Sequence, residues 1–205
     1  KVEAKSFSNA LTLFKKNPEV SVIGSKILNS ENSSIIQEMG ANLDWDNFNY
    51  KPNFSNEKDS NEIPSIVNCD YVPACSVTIR TELIQQVGLM DEKFFLYWDD
   101  IEWFHRISKS GKKIICSSQV VAHHRLGDIK RKNTLGTYYF IRNRINFFLN
   151  NSSEEKIDIC TETIFEDLFQ SYFFSRIEKK FNTARTVLYA AIDALSDIRG
   201  KALNS

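Results

Sequence analysis

The densest chemistry in this 205-residue chain lies in one string, Phe94-Phe95-Leu96-Tyr97-Trp98-Asp99-Asp100-Ile101-Glu102-Trp103-Phe104-His105-Arg106. Three carboxylates fall within four positions, bracketed by large aromatic side chains. Helix-end chemistry suits them: Asp99 with Glu102 forms a D-x-x-E box, acids favour a helix N-terminus, and Glu102 pairs with Arg106 at i,i+4. So does proton transfer, because a carboxylate beside apolar rings has a raised pKa and takes a proton from a hydroxyl near its working pH. Both can hold at once, with Asp99 and Glu102 fixing the helix end while Asp100 points into a cleft as the candidate general base, and helix capping alone is the competing assignment.

A second feature is Val120-Val121-Ala122-His123-His124-Arg125, a strand that delivers paired histidines to its end. Neutral imidazole is a common metal ligand, and adjacent strand residues face opposite ways, so at most one of the two enters a given site. A core or surface histidine is the competing assignment, and His105, in mid-helix, is assigned a structural role. A third feature is the basic group Arg125, Lys130, Arg131, Lys132, Arg142 and Arg144, suited to phosphates or an anionic membrane surface. The lysines also suit a solvated helix face, whereas Arg142 and Arg144 sit among apolar residues that would bury at least one of them.

These residues need elements to position them. Phe7, Leu11 and Phe14 predict a helix over 6–16, stopped by Asn17-Pro18. A short strand follows at Val20–Gly24, then a strand edge and polar turn over Lys26–Asn32, and a strand–turn–strand over Ile35–Trp45 with Gly40 between. Residues 46–64 lack periodicity and read as a long surface loop. Val67–Ile79 reads as a buried strand pair around Pro73. Helices are expected at Thr81–Val87 and Asp99–Ser110, with short strands at Lys112–Cys116 and Gln119–His123. From Thr134 onward, apolar residues at three- and four-residue steps predict three helices. Within them, Ser152-Ser153-Glu154-Glu155 carries helix-start chemistry. The alternation of strands and helices implies an α/β body over 1–133 and an all-helical region over 134–205.

Composition narrows the function. Twenty-six Lys+Arg balance twenty-six Asp+Glu, which argues against a nucleic-acid partner. No G-x-G-x-x-G or G-x-x-x-x-G-K-[ST] string occurs. The four cysteines, Cys69, Cys75, Cys116 and Cys160, show no zinc spacing and no disulfide framework. No apolar run is long enough to span a membrane, and residues 1–5 do not open a signal peptide.

Taken in order, several strings resemble the inverting glycosyltransferases of family 2, which have the GT-A fold. The central one is Val87-Gly88-Leu89-Met90-Asp91-Glu92-Lys93-Phe94-Phe95-Leu96-Tyr97-Trp98-Asp99-Asp100-Ile101-Glu102, with Arg106 and Gly111 after it. Val20–Gly24, Lys26-Ile27-Leu28 and Ile36-Gln37-Glu38-x-Gly40 are similar to the middle of rhamnosyltransferase-like members. Cys69-Asp70-Tyr71-Val72-Pro73-Ala74-Cys75-Ser76 is similar to the strand and turn before the catalytic helix, and Tyr138-Tyr139-x-x-Arg142-Asn143 to the start of the C-terminal helices. The Trp98-Asp99-Asp100-x-Glu102 wording is closest to galactofuranosyltransferases. The resemblance covers about residues 10–150.

The resemblance implies a partial GT-A mixed sheet and a sugar transfer, with inversion, from a nucleotide-diphosphate donor to a hydroxyl of a glycan or lipid-linked acceptor. By it, Asp100 is the general base. Asp99, Glu102, Trp98, Tyr97, Cys75 and Ser76 border the acceptor, the two aromatics offering flat surfaces to a sugar ring. His123, or His124 in the alternative register, helps to hold Mg²⁺ or Mn²⁺. Arg125 and Arg142 are expected to meet phosphate or membrane. The implied setting is bacterial surface-polysaccharide synthesis in the cytoplasm, at the inner membrane face, with the C-terminal helices able to form a homo-oligomer. The family's metal motif, D-x-D, has no counterpart before Phe7, and Asp44-x-Asp46 lies downstream of where it belongs. The chain is therefore expected to be the acceptor-side part of such an enzyme, inactive by itself. The rival is a non-catalytic glycan-binding or oligomerisation module derived from the same fold.

Overall fold

The computed structural model describes residues 1–125 and 134–201. Lys130, Arg131 and Lys132 lie outside the described residues. The chain divides into two compact units. One contains residues 1–43, 50–90 and 100–125; the other contains 44–49, 91–99 and 134–201. The helical region thus includes two short loops from the α/β part of the sequence.

The first unit is built on a mixed sheet. Strand β1 (Val20–Asn29) runs parallel to β7 (Lys113–His124), from Val20 opposite Lys113 to Asn29 opposite His124. All of β1 but its last residue is buried, as expected for the interior of a partly parallel sheet. β7 continues on its other side to β5 (Ile66–Asn68), antiparallel. The free edge of β1 is shared end to end by β6 (Val77–Ile79) and β2 (Ile36–Glu38), both antiparallel. A separate hairpin joins β3 (Ala41–Asp44) and β4 (Asn49–Pro52).

Four expectations change here. Val20–Gly24 and the following edge are one ten-residue strand. Lys112–Cys116 and Gln119–His123 are one strand, whose register against β1 shifts between Ser117 and Val121. The segments around Pro73 do not pair with each other, since β5 joins β7 and β6 joins β1. Residues 46–64 are not all loop, because β4 forms within them.

Helix α1 (Ser6–Lys16) packs Ala10, Leu13 and Phe14 against Val20, Ile23, Ile115 and Val120. Phe7 and Leu11, which the periodicity placed on that face, are instead exposed. Helix α2 (Glu82–Val87) is followed by α3 (Asp99–Lys109), which buries Ile101, Trp103, Phe104 and Ile107.

In the second unit, helix α4 (Thr134–Asn151) is followed by a 3₁₀ turn at Glu154–Lys156 and by helices α5 (Ile157–Ile177) and α6 (Phe181–Leu195). The turn starts without a side-chain cap from Ser153, so the Ser–Glu signal does not act as a capping box. Small residues on α6, Ala184, Ala190 and Ala194, are buried, and Ala190 packs with Tyr138 and Tyr139 of α4.

Candidate active site

The central residue of the first unit's candidate site is Asp100, in the first turn of α3 and half-buried. Its Oδ1 accepts from the Ile101 amide at 2.9 Å, and its Oδ2 from the Ala74 amide at 3.4 Å. Both partners are backbone N–H groups, which favour the charged carboxylate at a helix N-terminus. Ala74 lies in a turn closed by the Ser76 amide donating to the Pro73 carbonyl. The turn is tied to β1 by a 2.7 Å contact between the Ser25 and Ser76 hydroxyls and by the Ser25 amide donating to the Ser76 carbonyl. Cys75, between them, is exposed; its thiol is pushed up by desolvation first, then by the charges of Glu38 and Asp100.

A second carboxyl belongs to this group. Glu38 ends β2 opposite Ile27 of β1. Its Oε1 is fully buried and accepts no hydrogen bond among the described residues. Burial, with the Asp100 charge second, pushes its carboxyl up to about 7. Tyr71 is buried beside both acids and its hydroxyl is held well above the ordinary range, by burial first and the Asp100 and Glu38 charges next. The ring of Tyr71 meets Phe104, one turn beyond Asp100 on α3, with 6.2 Å between centroids.

Local geometry holds these groups near one another. The Ala41 amide donates to the Tyr71 carbonyl, and the Asp70 and Tyr71 amides donate to the Ala41 carbonyl. Gly40 makes that approach possible. Its φ is +70°, and a Cβ there would lie 2.3 Å from the Cys69 sulfur.

Glu102 is engaged elsewhere in the same unit. Its Oε1 accepts from Arg106 Nε at 2.6 Å, and its Oε2 is buried with no hydrogen bond among the described residues. Arg106 also donates to the Val87 and Leu89 carbonyls, and Trp103 Nε1 donates to the Gly88 carbonyl. The expected Glu102–Arg106 pair therefore fastens α3 to the turn at 87–89.

His123 Nε2 lies 3.1 Å from Glu3 Oε1, and His124 Nδ1 lies 3.3 Å from Gln37 Oε1. Among the described residues, no three side chains of His, Cys, Asp or Glu converge on one point. His123 with Glu3 is short of the ligand set that a divalent cation requires, so these residues do not by themselves fit Mg²⁺ or Mn²⁺. Arg125 is an exposed side chain 3.5 Å from Glu31.

The second unit holds the rest of the motif. Trp98 is 1% exposed, with its ring among Phe140, Phe147 and Phe148, so it is a core residue and not a platform for a sugar. Tyr97 keeps 48% of its surface and leans on Phe140. Asp99, the first residue of α3, is half-buried. Phe95, Tyr97 and Trp98 all have φ near +60°, in the left-handed region that such side chains rarely adopt.

That strained loop is held by α4. Asn143 Nδ2 donates to the carbonyls of Phe94, Leu96 and Tyr97 at 2.7–2.9 Å. Arg142 Nε donates to Asn143 Oδ1, which fixes the amide's orientation, and its Nη atoms reach the carbonyls of Lys93, Phe94 and Gly200. Arg142 is fully buried, so its guanidinium is a backbone clamp and not a contact for phosphate or membrane. Arg144 does the same for the 44–49 loop, donating to Asn47 and Phe48 carbonyls and to Asp167. In that loop the Asp44 carboxylate accepts from Asp46 and Asn47, which makes Asp44-x-Asp46 a turn.

Sequence reasoning did not single out Glu38 or Tyr71. The available signal was an acid at the end of a short apolar run, Ile35-Ile36-Gln37-Glu38-Met39, where burial would leave it without solvent.

No family model matches the chain. It is similar to the low-salt glycan biosynthesis hexosyltransferase Agl10 of Haloferax volcanii, at 26% identity over 137 residues. The match covers 64% of this chain and 44% of the relative, so the chain spans less than half of that protein's length.

Proposed function

We propose that the chain is the acceptor-side part of an inverting glycosyltransferase of GT-A type, with Asp100 as its general base. The observation that carries the proposal is the Asp100 carboxylate, held by the Ala74 and Ile101 amides at the start of α3 with Glu38 beside it. Similarity to a hexosyltransferase supports glycosyl transfer in general. In the step, the acceptor O–H bond breaks and its proton goes to a carboxylate oxygen of Asp100. The acceptor oxygen then bonds to the anomeric carbon of the donor as the bond to the nucleotide diphosphate breaks on the opposite face, which inverts the centre.

The turn at Ala74, Cys75 and Ser76 is proposed to border the acceptor. A nucleotide sugar, a glycan or lipid-linked acceptor and a divalent cation are proposed for the whole enzyme. Among the described residues no helix is long and apolar enough to cross a membrane. Contact with a membrane surface is proposed as peripheral.

Asp100→Asn is nearly isosteric and keeps an oxygen to accept from the amides. In the whole enzyme, at saturating donor and acceptor, it should lower kcat by about a hundredfold or more, the range for a general base, while leaving the thermal midpoint nearly unchanged. Near-normal turnover would remove Asp100 from the mechanism.

A further inference from the structure

Glu38 and Asp100 come from elements far apart in sequence, brought together by the stitch between residues 39–41 and 69–71 and by the Tyr71–Phe104 contact. The acids whose charges act within this cluster are Asp100 on α3, Tyr71 and Cys75 in the loop before β6, Cys69 beside Gly40 with Asp70 next to it, Cys116 on β7, and Glu38 itself. Among the described residues two cations oppose them, the N-terminal ammonium at Cys75 and Lys26 at Cys116. Tyr50 of β4 adds another acid beside Tyr71. Lys26 of β1 is the nearby buried cation, and both oxygens of Asp59 take its ammonium at 2.7 and 2.8 Å. The buried Glu38 Oε1 has no donor among the described residues, which suits a carboxyl that keeps its proton and does not suit a carboxylate.

We propose that Glu38 is a positioning residue for Asp100: it carries a proton at neutral pH, so that Asp100 is the charged member of the pair and takes the acceptor's proton. Two acids whose charges act on each other do not both ionise easily, and the less solvated one, here the one with a buried oxygen and no donor among the described residues, retains the proton. Glu38 gives up no proton in the transfer itself. When Glu38 ionises, its added charge raises the proton affinity of Asp100 and changes the pH at which the base works. This role rests on Asp100 being the base, but the existence of the pair does not.

The test is a carboxyl-carbon NMR titration of the chain labelled at its Asp and Glu side chains, from about pH 4 to about pH 9. The Glu38 signal, assigned by its loss in Glu38→Gln, should titrate near 7, against an ordinary value near 4.5. In Asp100→Asn its midpoint should fall, because the charge that helps to raise it is gone. A Glu38 midpoint between about 4 and about 5 in the unmodified chain, or one that does not respond to Asp100→Asn, would overturn the proposal. Only the unmodified chain and Glu38→Gln are needed if Asp100→Asn does not fold. In the active enzyme, the kcat/KM profile should lose an inflection near pH 7 in Glu38→Gln, a change that a purely structural residue would not produce. Coupled titration together with full activity of Asp100→Asn would discard the assigned base and leave the acid pair standing.

Discussion

The carboxyl of Glu38 links chemistry to stability. Unfolded, it releases its proton near 4.5; folded, it holds the proton up to about 7. Between those values the native state binds more protons than the unfolded chain. Stability is therefore fully present below about 4.5, falls as pH rises through the window, and stays lower above it. The shift corresponds to roughly 3 kcal/mol as an order of magnitude. Thermal midpoints measured at intervals from pH 5 to pH 8 (roughly the window in question) should decline, and Glu38→Gln should flatten the decline. An equal slope in both proteins would mean that another group is responsible. The acids of the Trp98–Glu102 string were conspicuous in the sequence because they are adjacent. Glu38 was not, because what makes it unusual is burial beside a residue 62 positions away, and no local pattern encodes that.

Among the elements, α4 has the most particular task. Its residues Arg142 and Asn143 satisfy the carbonyls of a loop in which three aromatic residues have positive φ. Each such residue costs on the order of 1 kcal/mol or more, so the loop persists only while the clamp does. Asn143→Ala would take the amide donor from the part-buried carbonyls of Leu96 and Tyr97, leaving that of Phe94 to Arg142 and the Leu96 amide, and should destabilise the protein by about 2 kcal/mol. Asn150→Ala removes only a hydrogen bond to the carbonyl one turn back in the same helix and should cost under about 1 kcal/mol. Urea unfolding of the two variants makes the comparison, and equal midpoints would show that the loop does not depend on Asn143. Periodicity identified α4 as a helix. It could not distinguish a cleft-lining Trp98 from a core one, nor a solvent-facing Arg142 from a buried one. Those distinctions depend on what the helix packs against. The polar strand β4 escaped notice for a related reason, since its four residues are all partly or fully exposed and carry no apolar alternation.

For the molecule as a whole, the alternation of strands and helices and the change of character at Thr134 were legible as an α/β part and a helical part. The assignment of 44–49 and 91–99 to the helical unit was not, because it follows from contacts 46 to 97 residues apart in sequence. That unit also leaves a large apolar face on α5 and the start of α6: Phe169, Phe173, Phe174, Ile177 and Phe181 are each about half exposed or more. A face of this kind seeks a partner. Sedimentation velocity at tens of micromolar, roughly where weak association becomes measurable, should show species heavier than one chain. Phe169→Ser with Phe173→Ser should shift them toward monomer, and a single monomeric species throughout would refute self-association. The clamp on the 94–98 loop also bears on the order of folding. A ribosome releases that loop well before Asn143, so the strained backbone has nothing to hold it until most of α4 has been made. Its closure should come late, after the folding barrier has been crossed. Asn143→Ala should then act chiefly on the unfolding rate and leave the refolding rate almost as it was.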